Sequence, residues 1–380
     1  MTRIQKIFVA ILSIFALGLL ISVGYEGTEA YQFWTHPLGA SIPTLPDTEP
    51  PLTPSWTALP PYWLPSVTPP SGAYWLPSVT PPSGTPLCGG PRVMNILLIG
   101  SDTRGTNYTY GLSDVTRVVR IDFVEPSVTM LDFPRDLWVK IPYISSHLNG
   151  QDHEKLNQAY LYGNPGDGFH FWSDPSAGPG LLALTLNVNF GVHVDHYLAV
   201  NMKTFVKMVD TVGGIDLTFD KPLPLSHDPN MQKGTHHLNG TEALEVTRNR
   251  VDGVFSRGDY QNMVLCALRD KLASPQVVTQ IPDLINAFQD SVQTDLSPQL
   301  MSQLTCLGTH LPRQNITLHN FPEDLFTGGR IFDPVFDKDV FIWEVDFNKL
   351  EEYVNDFQAG SWPLTTFNPT TSSTTTSACK

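Results

Sequence analysis

The sequence predicts an α/β domain, with a central mixed β-sheet flanked by helices on both faces and preceded by one transmembrane helix. Three observations carry this. From residue 93 onward, short apolar runs of strand length alternate with stretches patterned at helical spacing. An uncharged run rich in Ile, Leu, Val, Phe and Ala fills residues 7–25, just after Arg3 and Lys6. Between the two lies a stretch dominated by Pro, Ser and Thr, which cannot build a core.

The elements follow in chain order. At about 1.5 Å per residue the first run nearly crosses a bilayer core of about 30 Å. Its positive flank places the N-terminus inside and the rest outside the cell membrane. A cleaved signal peptide is the alternative, but its small-residue site near 27–30 would carry Glu26 and Glu29, so residues 1–25 are read as an anchor. Residues 26–92 form an extracytoplasmic linker with a tandem repeat of 12-residue period, whose shared eleven residues, Tyr-Trp-Leu-Pro-Ser-Val-Thr-Pro-Pro-Ser-Gly, start at Tyr62 and Tyr74. Strands are expected at 93–99, 115–123, 127–133, 195–201 and 215–219, with Glu125-Pro126 breaking the second pair into a hairpin. Residues 203–212 carry Phe205, Val206, Met208, Val209 and Val212 at helical spacing, stopped by Gly213-Gly214. Asn239 or Thr241 caps a helix through Val246, and Gly258 or Asp259 opens one bearing Met263, Val264, Ala267, Leu268 and Leu272. Residues 281–292 and 298–307 also read as helical. The main domain therefore spans 93–275, with a helix-and-strand extension over 276–362 packed on it. A disordered Thr/Ser-rich tail fills 363–380.

The chain has 380 residues and a formal charge of -14, so it can bury a sizeable core. That acidity excludes nucleic acid as a partner but not a phosphorylated ligand held by a few arginines. The four cysteines, Cys88, Cys266, Cys306 and Cys379, contain no C-x-x-C pair, which argues against zinc. Outside the cytosol they can pair. Cys266 with Cys306, both in helix-like contexts, is the favoured disulfide, and Cys88 with Cys379 could join the domain's ends.

Chemistry concentrates at strand ends. Asp102 follows the first strand and Asp114 opens the second, so neighbouring strands would bring both carboxylates to one hard cation. Taken alone, Asp102 is equally a turn residue. Arg135 sits at a strand tip in Phe133-Pro134-Arg135-Asp136 and suits a phosphate, or simply a surface pair with Asp132 or Asp136. Arg248 and Arg250 share a face only if that segment is extended, where two guanidiniums suit a bis-phosphate; otherwise they belong to a solvated turn.

These residues carry a family resemblance. Asn95 to Arg104, Ser113-Asp114, Phe133 to Asp136, Lys155-Leu156-Asn157-Gln158-Ala159-Tyr160, His237-Leu238-Asn239-Gly240, Arg248-Asn249-Arg250, and Arg257 with Gln261 occur in an order that resembles the LytR–CpsA–Psr family. The similarity covers about residues 93–271. It implies a phosphotransferase at the outer face of a bacterial membrane. Such an enzyme moves a glycopolymer from a polyprenyl-pyrophosphate carrier to peptidoglycan or another cell-wall acceptor. It implies that Asp102 and Asp114 hold a magnesium ion, and that Arg135, Arg248, Arg250 and Arg257 hold the phosphates with Gln261 nearby. Asp102 or Asp136 could deprotonate the acceptor hydroxyl; the residues leave both open. A hydrophobic tunnel for the lipid is also implied. Phe169, Phe171, Trp172, Leu181, Leu182, Leu184 and Leu186, around a Gly- and Pro-rich insertion, could line that tunnel or belong to the core. The sequence departs from the family at Leu112 and Tyr260, where arginines are usual. Arg104, Arg117 or Arg120 could replace a lost charge, although Arg117 and Arg120 point to opposite faces of a strand. The departures keep two alternatives open, a polyprenyl-phosphate-binding regulatory module without turnover, and a pyrophosphate hydrolase.

Overall fold

The computed structural model describes residues 31–43, 84–103, 108, 110–166, 168–249, 256–274, 277, 291–333, 335–361 and 377–378. A seven-stranded mixed sheet organises the fold. Its strands are β1 (Val93–Ser101), β2 (Ser113–Asp122), β3 (Ser127–Asp132), β6 (His196–Asn201), β9 (Val292–Thr294), β10 (Ile316–Asn320) and β13 (Ser377–Ala378), in the order β13-β10-β3-β2-β1-β6-β9. β1 and β6 run parallel, as do β3 and β10; β1, β2 and β3 form an antiparallel meander. Hairpins β4 (Trp138–Lys140) with β5 (His153–Lys155), β7 (Ile215–Phe219) with β8 (Gly234–Leu238), and β11 (Phe326–Asp333) with β12 (Lys338–Val345) lie outside the sheet.

Strand alternation divides the core between the two faces. Leu97, Ile99, Val118, Leu131, Tyr197 and Ala199 point one way, onto α1 (Leu156–Gly163), α2 (Ala177–Phe190) and α7 (Phe347–Ala359). Met94, Ile96, Val119, Ile121 and Leu318 point the other way, where Leu265, Leu300, Leu304 and Leu307 cover them. Those leucines sit on α5 (Ser256–Leu272) and α6 (Pro298–His310). A third cluster joins α3 (Met202–Thr211), the β7–β8 hairpin, α4 (Gly240–Arg248) and α5 through Val209, Ile215, Leu217, Val246 and Val264. The expected cap is present: Asn239 Oδ1 accepts from Glu242 N at 3.0 Å while Glu242 Oε2 accepts from Asn239 N at 2.8 Å.

Of the two alternatives for the insertion near Phe169, Leu181, Leu182 and Leu186 take the core: α2 forms there and buries them fully. Several expectations change. Val292 is in a strand rather than a helix; the remaining expected helix, 281–290, lies outside the described residues. Two residues of the tail expected to be disordered, Ser377–Ala378, pair antiparallel with β10. The disulfide joins Cys88 to Cys306, not Cys266 to Cys306. Cys266 is disulfide-bonded as well. Helix-like context does not decide pairing; proximity in space does, and the chain before β1 passes beside α6. Among the described residues no helix is long and apolar enough to cross a membrane. The expected anchor at 7–25 lies outside them.

Candidate active site

β1 and β2 are neighbours, and their register breaks where the site begins. Gly100 faces Val115 and Ser101 faces Ser113, so Asp114 is the extra residue of a β-bulge. A bulge re-aims a side chain that regular pleating would place elsewhere. Asp102 continues the ladder on β1: its N–H donates to Leu112 O at 3.0 Å, and its Oδ1 accepts from Leu112 N at 2.6 Å. The loop between the strands closes tightly on Gly111, where a Cβ would meet Thr103 Oγ1 at 2.2 Å.

Two guanidiniums grip Asp114. Arg135 Nη1 donates to Oδ1, and Arg257 Nη2 donates to Oδ2 at 3.2 Å. Burial alone would raise this carboxyl; the two cations outweigh it and hold it below the usual carboxylate range. Arg135 is held above its ordinary value, because Asp114 and Asp136 outweigh its own desolvation. Asp136 joins the network, accepting from Arg135 Nε at 3.3 Å and from Lys155 Nζ at 2.9 Å. Lys155 stands at the N-cap of α1, its own N–H donating to Gln158 Oε1 at 3.0 Å.

Arg257 and Gln261 stand one helical turn apart on α5, and both reach back toward Thr247 O at 3.4 Å. Behind them Arg117 is fully buried. Its Nη1 donates to Asn262 Oδ1 at 2.5 Å and its Nη2 to Gln261 Oε1 at 3.3 Å. Its Nε lies 3.0 Å from Asp132 Oδ1, an ion pair whose N–H direction falls outside hydrogen-bond geometry. Burial raises the Asp132 carboxyl, and Arg117 only partly opposes that. Arg117 thus points its donors at protein partners. Arg120 points away, to Gln358 O at 3.2 Å and Asp122 at 3.2 Å.

Two cavities meet at Asp114, Arg257 and Gln261. One is a cleft in which the charged side chains of Asp132, Arg135 and Asp136 and the amide of Asn320 stand among the rings of Phe133, Phe321, Phe326 and Trp343. The other encloses about 210 Å³ between the sheet and α3, α4 and α5. Its walls are apolar, among them Leu98, Leu198, Phe205, Val264 and Leu268, and Arg248 lies at its rim. Arg248 ends α4, is exposed, and has no ion pair among the described residues. Arg104 and Arg250, both expected at the site, lie outside the described residues. The insertion aromatics and leucines line neither cavity.

Tyr260 is buried in the cluster shared by α4 and α5, and Leu112 packs against the main core. At both positions an apolar environment has taken a side chain that cannot carry charge. Lys155 and Asn262 are partners that the motif reading did not assign, and Asp132, offered there as a pair for Arg135, pairs with Arg117 instead. Lys155 was within a recognised motif; Asp132 and Asn262 carried no local signal, since their partner Arg117 is a strand or many elements away.

The LytR_cpsA_psr family model matches residues 90–355. The chain belongs to the LytR–CpsA–Psr family. Within the family it is similar to a polyisoprenyl-teichoic acid–peptidoglycan teichoic acid transferase, TagU of Oceanobacillus iheyensis, at 31% identity over 229 residues, 59% of this chain and 65% of that one. It is similar also to the regulatory protein MsrR of Staphylococcus aureus, at 28% identity over 207 residues, 53% of this chain and 56% of that one. The alignments thus span less than two thirds of either relative. Among LytR–CpsA–Psr structures, TagV of B. subtilis shares the fold with a TM-score of 0.55 at 23% identity, covering 71% of this chain and 98% of that chain. TagT bound to LIIa-WTA gives 0.52 at 24%, covering 70% and 90%. The mixed α/β sheet with flanking helices is therefore the family fold.

Proposed function

We propose that this chain is a membrane-anchored phosphotransferase that moves a glycopolymer from a polyprenyl-pyrophosphate carrier to a cell-wall acceptor such as peptidoglycan. One observation carries the reading: a cluster of cations around Asp114 stands where a cleft bearing charged side chains meets an apolar cavity. A pyrophosphate with a lipid tail needs that juxtaposition, a charged grip for the head and a dry channel for the chain. The relative TagU, a teichoic acid–peptidoglycan transferase by name, supports the same class.

Phosphoryl transfer asks mainly for positioning and charge neutralisation. Arg135, Arg257 and Arg248 would hold the pyrophosphate oxygens, a role the family resemblance extends to Arg250. Gln261 orients the head against Arg257. Arg117 works one layer back by fixing Gln261 and Asn262. The acceptor hydroxyl attacks the sugar-bearing phosphorus; the new P–O bond forms as the bond to the bridging oxygen breaks, and polyprenyl phosphate leaves. Asp102 or Asp136 accepts the hydroxyl proton.

We propose a magnesium ion as the cofactor. Asp102 and Asp114 offer hard oxygens on adjacent strands, and each Asp114 oxygen keeps a lone pair beyond the one its arginine takes. Asp102 and Asp114 would hold the ion, which would neutralise charge on the phosphate oxygens.

The test is incubation of the protein with a lipid-pyrophosphate sugar, magnesium and peptidoglycan fragments. Glycan-linked phosphate supports transfer. Free phosphorylated sugar would instead identify a hydrolase, and retention of intact lipid would identify a binding module. An Asp102→Ala variant that transfers at the full rate would remove the metal assignment.

A further inference from the structure

The chain immediately after the expected anchor does not simply begin a spacer. Residues 31–35 form a helical turn, with Thr35 Oγ1 donating to Tyr31 O at 2.8 Å. Residues 38–42 then run along the outer edge of the sheet beside β9, the last strand in the order. Leu38 N donates to Leu296 O at 3.3 Å, Tyr197 Oη donates to Ala40 O at 3.1 Å, and Ile42 packs on the main core. Burial alternates along 38–42, as it does in a strand with one face covered. The approach at Gly39 admits no side chain: a Cβ there would stand 2.5 Å from Thr294 O. An exposed sheet edge is covered in this way by the protein's own chain. The chain returns at residue 84, where Leu87 N donates to Phe123 O at 2.7 Å and Cys88 is bonded to Cys306. Both ends of 44–83, the stretch holding the tandem repeats, are thus fastened to the domain.

The helical turn presents three large rings to solvent: Tyr31 is 69% exposed, Phe33 59% and Trp34 47%. They lie six to nine positions beyond the uncharged run that ends at residue 25. Aromatic rings just past a membrane span belong at the membrane–water interface, where an apolar body and a polar tip are both satisfied.

We propose that Tyr31, Phe33 and Trp34 form a membrane-interface contact, and that the docked segment 38–42, not the length of the stretch between residues 43 and 84, sets the distance of the domain from the bilayer. Residues 26–30 span at most about 18 Å, whereas a spacer running from 26 to 92 would reach roughly 220 Å fully extended. A short tether suits an enzyme whose carrier substrate is embedded in the membrane. The inference rests on the anchor reading and on no feature of the catalytic cleft.

The experiment uses the full chain in phosphatidylglycerol–phosphatidylcholine vesicles. A donor dye is placed at exposed Val188 through a non-natural amino acid, and an acceptor dye in the lipid. Energy transfer is expected to be unchanged by deletion of residues 62–83. It is expected to be lost in Gly39→Val, and in Leu38→Ser, which keeps the test independent of the glycine. Replacing Tyr31, Phe33 and Trp34 by Ser should weaken it and should abolish quenching of Trp34 by brominated lipid. Thermal melts of each variant confirm an intact domain. Transfer that rises on deleting 62–83, or that stays unchanged in both undocking variants, would overturn the inference while leaving the anchor in place. Extraction of the chain by alkaline carbonate would overturn the anchor reading and this inference with it.

Discussion

At Asp114 a desolvation cost competes with two attractions, and the attractions win. Its folded carboxyl sits below the unfolded value, so the pairing contributes stability above the unfolded range and loses it only as pH falls through the depressed value. The same pairing leaves Arg257 fixed at the cleft rather than free to sample rotamers. Arg257→Ala is expected to lower transfer by about 100-fold or more, the scale of losing one positioned donor to a developing oxyanion, with the melting temperature nearly unchanged. Steady-state kinetics beside a thermal melt checks this. Arg117→Ala should do the opposite, costing ~3 kcal/mol by leaving Asp132 and two amides without their partner; a denaturant titration that shows no loss would contradict the buried-clamp reading. Glu154 is a different case. It is fully buried, beside Asp333, and accepts from Gln151 Nε2 at 2.6 Å. Burial first, then Asp333, pushes its carboxyl up to about 8. The folded protein therefore keeps a proton that the unfolded chain gives up, and stability falls as pH rises from the ordinary carboxylate range to about 8. Glu154→Gln should raise the melting temperature at pH 8 by roughly 2–4 °C per kcal/mol recovered and leave it unchanged at pH 4. An equal shift at both pH values would refute the protonated state.

On the scale of elements, α5 connects the two halves of the site. Arg257 and Gln261 share one face of its first turns, and Val264, Leu265 and Leu268 continue that face down the apolar cavity. The change from polar to apolar along one stripe matches a ligand with a charged head and a hydrocarbon tail. This much was legible: the helix opening near Gly258 and its apolar positions follow from spacing alone. The floor of the cavity was not, because β1 and β6 lie far from α5 in sequence and periodicity says nothing about which sheet face a helix will cover. The insertion near Phe169 was undecided for the same reason. Its aromatics and leucines suit a tunnel or a core by composition, and Leu181, Leu182 and Leu186 take the core alternative, on the opposite side of the sheet. The bulge at Asp114 was equally hidden, since a one-residue register shift leaves no mark on composition. Leu268→Trp, which fills the cavity from the helix, should weaken binding of a long polyprenyl pyrophosphate by at least tenfold, about 1.4 kcal/mol. A water-soluble sugar pyrophosphate lacking the lipid should bind as before. Equal losses for both ligands, measured by calorimetry, would place the lipid elsewhere.

For the molecule as a whole, strands from the start, middle and end of the domain share one sheet, so long-range pairing has to be secured at the edges. The 276–362 extension read as packed onto the domain supplies β9 and β10 to that sheet. The first strand is secured from outside by the Cys88–Cys306 bond, which closes a loop across 218 residues. Gln303 Nε2 donates to Gly89 O at 2.7 Å beside it, so the entry to β1 is tied to α6 by a covalent and a polar link. Four cysteines allow three connectivities, and their spacing cannot choose among them; the choice rests on α6 covering the sheet face from which β1 emerges. A closed loop of this length restricts the unfolded chain strongly, and removing such a bond costs about 2–5 kcal/mol. A Cys88→Ser/Cys306→Ser double variant should therefore unfold at lower temperature, by roughly 2–4 °C for each kcal/mol lost. Because neither Cys88 nor Cys306 lines either cavity of the site, loss of the bond should leave transfer at 25 °C intact. Melting curves and transfer rates on the same preparation separate the two effects: an unchanged melting temperature would show that the polar link and the sheet alone secure the entry strand.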